Sequence, residues 1–144
     1  MFSVLIPAFK EKYLRKAIDS VIRQTYTDIE IIIVNDKSPE NIAGIVRSYT
    51  DPRIRYYENE VNLGSKNVVH SWNKCLEYAT RDFCILFSDD DILEPDFLQE
   101  IQRLILRYPD CDLFSCRTAV IDHSDNVIRY SASAPEFETL HDFM

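Results

Sequence analysis

Residues 29–34 read Ile-Glu-Ile-Ile-Ile-Val, five β-branched aliphatics interrupted by a single acid. Alternate side chains of a strand point to opposite faces, so a run apolar at nearly every position needs cover on both sides. That is the situation of a strand inside a parallel, helix-covered sheet. Residues 2–6 form a similar short run that stops at Pro7 and residues 83–87 supply another, while Ile54 to Glu58, more polar, reads as a strand between them. Between the runs, apolar residues recur at helical spacing. The first set is Tyr13, Leu14, Ala17, Ile18, Val21 and Ile22; the second is Ile42, Ile45, Val46 and Tyr49, after a Ser38-Pro39 pair that reads as N-cap and first turn. Val68, Val69, Trp72, Cys75, Leu76 and Ala79 form the third, and Phe97, Leu98, Ile101, Leu104 and Ile105, past Pro95, the fourth. Strand and helix alternate four times, which predicts an α/β fold: a mostly parallel, doubly wound sheet with helices on both faces.

The 144 residues are read as a single domain. A fifth strand is expected over 112–121, and a hairpin over 122–131 turning on Asp122-His123-Ser124-Asp125-Asn126. The segment 134–144 looks incomplete. Thr139-Leu140-His141-Asp142-Phe143-Met144 starts like a capped amphipathic helix and runs out after about one turn, too short to hold alone. The expectation is the N-terminal part of a longer protein.

The net charge of −8 argues against sequence-independent nucleic-acid binding, which needs a basic face. It leaves nucleotide binding open, because a divalent cation can sit between carboxylates and phosphates. No stretch approaches the roughly 20 apolar residues of a membrane span, and the start of the chain reads as a strand rather than a signal peptide. Cys75, Cys84, Cys111 and Cys116 lack paired spacing and are expected to be buried free thiols of a reducing, cytoplasmic compartment, with peripheral membrane association left open.

In an open parallel sheet, ligands bind beyond the carboxyl ends of the strands. Pro7-Ala8-Phe9-Lys10-Glu11 follows the first run, Asn35-Asp36-Lys37-Ser38 the second, Asn59-Glu60-Val61-Asn62 the third and Ser88-Asp89-Asp90-Asp91 the fourth. One rim thus collects acids and amides while the strands stay apolar. Asp89-Asp90-Asp91 is the sharpest feature: adjacent carboxylates repel unless a cation joins them. Mg²⁺ or Mn²⁺ suits such a site, with water and phosphate oxygens completing its shell; the alternative is a solvated loop ahead of a helix N-terminus. Asp36 is either a helix-start acid or an acceptor for a base N–H, a way to read uracil. Phe9 either stacks on a base or fills core, Lys66 meets a phosphate, the base or solvent, and Trp72 falls on the apolar stripe as a core residue. With two glycines, Gly44 and Gly64, the chain has neither a GxGxxG turn nor a Walker A loop.

In order and spacing, several segments resemble the family 2 inverting glycosyltransferases of GT-A fold. They are Ser3-Val4-Leu5-Ile6-Pro7-Ala8-Phe9, Ala17-Ile18-Asp19-Ser20-Val21, Gln24-Thr25-Tyr26, Glu30 to Ser38, Asn62-Leu63-Gly64, Trp72-Asn73 and Ser88 to Pro95. The resemblance implies a nucleoside-diphosphate sugar donor, most often a UDP-sugar, and transfer with inversion to an acceptor hydroxyl on a saccharide, a lipid-linked oligosaccharide or a protein, as in polysaccharide biosynthesis. It assigns Pro7, Ala8, Phe9 and Glu11 to the nucleoside cradle, Asp36 to the base and Lys66 to a base-contacting position. Asp89 and Asp90 match the DxD-type motif, with Asp89 on the ribose or a metal-bound water and Asp90 on the metal. Since many members carry an aspartate where Ser88 stands, Asp91 is kept beside Asp90 as a metal ligand. Lys37 occupies a position where members commonly have glycine. The family's catalytic base lies past residue 144, and Asp122, Asp125, Glu136 and Asp142 come too early to match it. These residues alone are therefore expected to be inactive. The rival readings are a sugar nucleotidyltransferase, which should carry a glycine-rich loop after the first strand, and a non-catalytic nucleotide-sugar-binding module.

Overall fold

The computed structural model describes residues 1–133 and 135. In chain order they form β1 (Phe2–Ala8), α1 (Leu14–Ile22), β2 (Ile29–Asn35), α2 (Ile42–Arg47), β3 (Ile54–Glu58), α3 (Val68–Leu76), β4 (Phe83–Leu86), α4 (Phe97–Arg107), β5 (Ala119–Ile121) and β6 (Val127–Tyr130). Residues 1–102 make one compact unit and a second begins at Arg103. The reading of 134–144 falls, apart from Pro135, outside the described residues.

In the first unit four parallel strands pair in the order β3-β2-β1-β4. All seven residues of β2 are buried, as the aliphatic run demands. Leu5 pairs with Ile32, and their shared face meets Cys75 of α3. Val4, Ile6, Ile31 and Ile33, on the other face, have no exposure, so helices cover both sides of the sheet. Burying each such aliphatic contributes about 1.5–3 kcal/mol, which makes this centre the main source of stability. Leu14, Ala17, Ile18 and Val21 of α1 are buried at the expected spacing. Gln24, just past α1, donates to the Glu94 carbonyl and accepts from the Leu98 N–H, fixing where α4 begins.

The amino ends of the strands are tied through a buried acid. Glu30 Oε1 accepts from the Ser3 hydroxyl at 2.6 Å and from the Thr80 amide and hydroxyl, and Oε2 accepts from Arg55 at 2.8 Å. Burial by itself would raise the Glu30 pKa, but the four hydrogen bonds bring it down to about 2.

Four expectations are corrected. Asn41, not Ser38, caps α2, its side chain accepting the Gly44 N–H; the Ser38 hydroxyl donates to the Phe9 carbonyl and accepts the Glu40 N–H, ahead of the helix. Trp72 is 36% exposed rather than core, because α3 buries Ser71 and Cys75 instead. Only Cys75 is a buried thiol, since Cys84 and Cys116 are exposed and Cys111 intermediate, though all four are free. The fifth strand is confined to Ala119–Ile121. In the second unit β5 and β6 pair antiparallel around a turn in which Asp122 accepts the Ser124 and Asn126 amides.

Candidate functional site

Strand order reverses at β1: β2 and β3 lie on one side of it and β4 on the other. Connections leaving β1 and β4 therefore diverge, and the crevice between them is where an open parallel sheet receives a ligand. A cleft of about 390 Å³ opens there. Its walls come from the connections after all four strands and from α3: Phe9 and Lys10 after β1, Asp36 after β2, Asn62 and Gly64 after β3, Asp89 and Asp90 after β4, and Trp72 on the helix.

Two side chains hold this rim together. Asp89 Oδ2 accepts the backbone N–H of Phe9 at 2.7 Å and of Lys10 at 2.8 Å, fastening the β4–α4 loop to the β1–α1 loop. Asp36 is 4% exposed. Its carboxylate accepts from Asn59 Nδ2 at 2.7 Å and the Leu63 N–H at 2.9 Å on Oδ1, and from the Gly64 N–H at 2.8 Å on Oδ2. Its own N–H donates to the Ala8 carbonyl. Close approach of backbone to this carboxylate is possible only because residue 64 lacks a side chain: a Cβ there would lie 2.9 Å from Asp36 Oδ2. Behind Asp36, burial and the nearby carboxylate charge push the Cys75 thiol up to about 12, so it stays protonated. Lys37 takes the left-handed conformation, φ 55°, which glycine adopts with least strain, and pairs with Glu58 at 3.2 Å.

Of the residues singled out from the sequence, Pro7, Phe9, Asp36, Asp89 and Asp90 line the cleft together. Ala8, Glu11, Lys66 and Asp91 are not part of that lining. Ala8 is buried. Glu11 is tied to the start of α2, its carboxylate accepting the Asn41 N–H. Asp91 is partly desolvated by the chain around it, and the charges of Asp90 and Asp89 raise its pKa further. Lys10, Asn62, Ser65, Ser71 and Trp72, given no binding role from the sequence, also line the cleft. Asn59, named on the rim without a role, is bonded to Asp36; from sequence an asparagine after a strand is first of all a turn residue.

Among the described residues no three His, Cys, Asp or Glu side chains gather as a metal cage. Asp90 on the cleft wall, beside an Asp89 with one oxygen already committed, is a hard, oxygen-only and sparse donor set. That fits Mg²⁺ or Mn²⁺, which keep water and phosphate oxygens as ligands, and does not fit a structural zinc site.

The helix-covered parallel sheet with carboxylates gathered at a switch-point cleft agrees with the GT-A fold expected from the sequence. The chain belongs to glycosyl transferase family 2, whose model matches residues 3–142. Glycosyltransferase GlyA of Streptococcus pneumoniae serotype 4 is 34% identical over 109 residues, 74% of this chain and 15% of the relative. GlyG of the same organism is 24% identical over 140 residues, 95% of this chain and 45% of the relative. Staphylococcus aureus TarS 1–349 in complex with UDP-GlcNAc superposes with a TM-score of 0.69 at 24% identity, over 75% of this chain and 32% of that one. Mannosyltransferase PcManGT from Pyrobaculum calidifontis, in complex with GDP-Man and Mn²⁺, superposes with a TM-score of 0.63 at 20% identity, over 86% of this chain and 36% of that one. These likenesses show the fold. The chain spans between 15% and 45% of the length of the curated relatives it matches. Among the described residues no helix is long and apolar enough to cross a membrane.

Proposed function

We propose that this domain binds the donor of a metal-assisted, inverting glycosyl transfer, and that the donor is a UDP-sugar. The observation that carries the reading is the meeting of Asp36 with Asp89 and Asp90 around one cleft at the switch point. A nucleoside diphosphate has the matching sequence of groups, a base at one end and a doubly charged diphosphate at the other. Family membership favours glycosyl transfer over nucleotidyl transfer, and the two neighbours with bound nucleotide sugars support the donor class.

In this reading Asp36 accepts a ring N–H of the base, and Phe9 and Trp72 supply apolar walls. Asp89 holds the β1–α1 loop in its cradle shape and offers its free oxygen to the ribose or to a water. Asp90 is the direct ligand of Mg²⁺ or Mn²⁺. Asp91, outside the lining, adds negative field rather than an oxygen atom. When bound, the cation neutralises charge on the diphosphate leaving group. Lys10, a cationic residue of the lining, faces the same charge. Lys66 and Glu11, outside the lining, reach a bound donor only if their loops adjust. Deprotonation of the acceptor hydroxyl falls to a base outside the residues described, and the acceptor is a saccharide, a lipid-linked oligosaccharide or a protein.

The test is calorimetry of UDP binding with and without Mn²⁺. Asp90→Ala is expected to remove the gain in affinity that Mn²⁺ gives the unaltered protein. Equal binding by both proteins in the presence of Mn²⁺ would show that Asp90 holds no metal.

A further inference from the structure

We infer that Asn59 is a positioning residue for base selection, acting through Asp36 and never touching the donor. The inference rests on the reading of Asp36 as the base acceptor. A carboxylate offers about four lone-pair sites. Three are filled at Asp36, two on Oδ1 by Asn59 and Leu63 and one on Oδ2 by Gly64. One site, on Oδ2, is left in a group that lines the cleft.

Which oxygen presents that site depends on rotation of the carboxylate about its terminal bond, a torsion that is broad unless something fixes it. Two of the three fixing donors are backbone amides, and each comes from the same short turn, Leu63-Gly64. Asn59 is the third and the shortest, at 2.7 Å, and it enters from the end of β3. Its own N–H is anchored on the Asn35 carbonyl at 2.9 Å, one residue before Asp36. Asn59 is itself 6% exposed, so solvent does not replace it readily. Asp36 has no ion-pair partner among the described residues, so neutral donors alone orient this buried side chain. An immobile acceptor oxygen favours a base that presents a ring N–H, as uracil does, and opposes one that presents a lone pair there, as cytosine does. A carboxylate free to rotate, or to share a water, discriminates less.

The experiment compares UDP and CDP, each with Mn²⁺, by quenching of Trp72, the single tryptophan and part of the cleft wall. The unaltered protein should prefer UDP. Asn59→Leu, similar in shape but without a donor, should cut the UDP-over-CDP preference about tenfold, the effect of losing one hydrogen bond to a charged group. Its melting transition should remain cooperative. Asn59→Ser, too short to reach Asp36 but easily accommodated, should also lower the preference and decides the matter if the leucine variant does not fold. Asp36→Asn should abolish the preference. If Asp36→Asn abolishes it and both Asn59 variants keep it, the role of Asn59 is overturned while the donor reading stands. If Asp36→Asn keeps it, or the unaltered protein binds neither nucleotide, the donor reading falls and the Asn59 role with it. Loss of cooperative melting in both Asn59 variants would make the residue merely structural.

Discussion

Replacing Glu30 by glutamine should make stability measurably less dependent on pH. Glu30 is 8% exposed and accepts four hydrogen bonds at the amino ends of β1, β2 and β4. Its pKa moves from an ordinary 4.5 to about 2 in the folded chain. At about 1.36 kcal/mol for each tenfold change, linkage places the stabilisation at pH 7 near 3 kcal/mol as an upper bound. Water reaches the Arg55 guanidinium, which is 40% exposed, and screens its share, so about 2 kcal/mol is the working figure. The sign follows from the direction of the shift. A carboxylate with a depressed folded pKa contributes fully above 4.5, and the contribution drains away as pH falls toward 2. Glutamine keeps an acceptor for Ser3 and Thr80 but turns an amide donor toward Arg55. Urea unfolding followed by circular dichroism should therefore find Glu30→Gln weaker by about 2 kcal/mol at pH 7, and should find more than half of that difference gone at pH 3. A difference that is the same at both pH values would refute the argument, because no proton would then be linked to the network.

Two further perturbations probe the rim. Asp89→Ala leaves the Phe9 and Lys10 amides without their acceptor, and UDP affinity should fall at least about tenfold with little change in melting temperature; undiminished calorimetric binding would mean that the loop keeps its shape without the tie. Lys37→Val should melt below Lys37→Gly by an amount equivalent to about 2 kcal/mol, since a branched side chain resists the φ of 55°. Coincident melting curves would show that the turn does not need the left-handed conformation.

The architecture was readable because few folds can shelter a run like Ile29–Val34, and the rim followed once the sheet was parallel. The orientation of α3 was not readable. On a helix of nine residues the stripes Val68-Trp72-Leu76 and Ser71-Cys75 are adjacent, and only the packing of Cys75 on Leu5, Ile32 and Val34 decides which faces the sheet. The cap of α2 was misplaced for a related reason: Ser38 and Asn41 both satisfy the local rule, and the carbonyl of Phe9, distant in sequence, recruits Ser38 elsewhere. Asn59 and Lys10 were placed on the rim but given no role of their own, because their importance lies in what they stand beside. A turn asparagine and a surface lysine look ordinary until the sheet brings them to Asp36 and Asp89.

The tie between Asp89 and the two amides after β1 is made entirely from atoms of the chain. The mouth of the cleft is thus set before any ligand arrives, and a nucleotide binding as proposed need not first freeze two loops from opposite sides of the sheet. Little conformational entropy is lost on capture. Association should accordingly be a single fast phase whose rate rises in proportion to nucleotide concentration, with no plateau from a slow closing step.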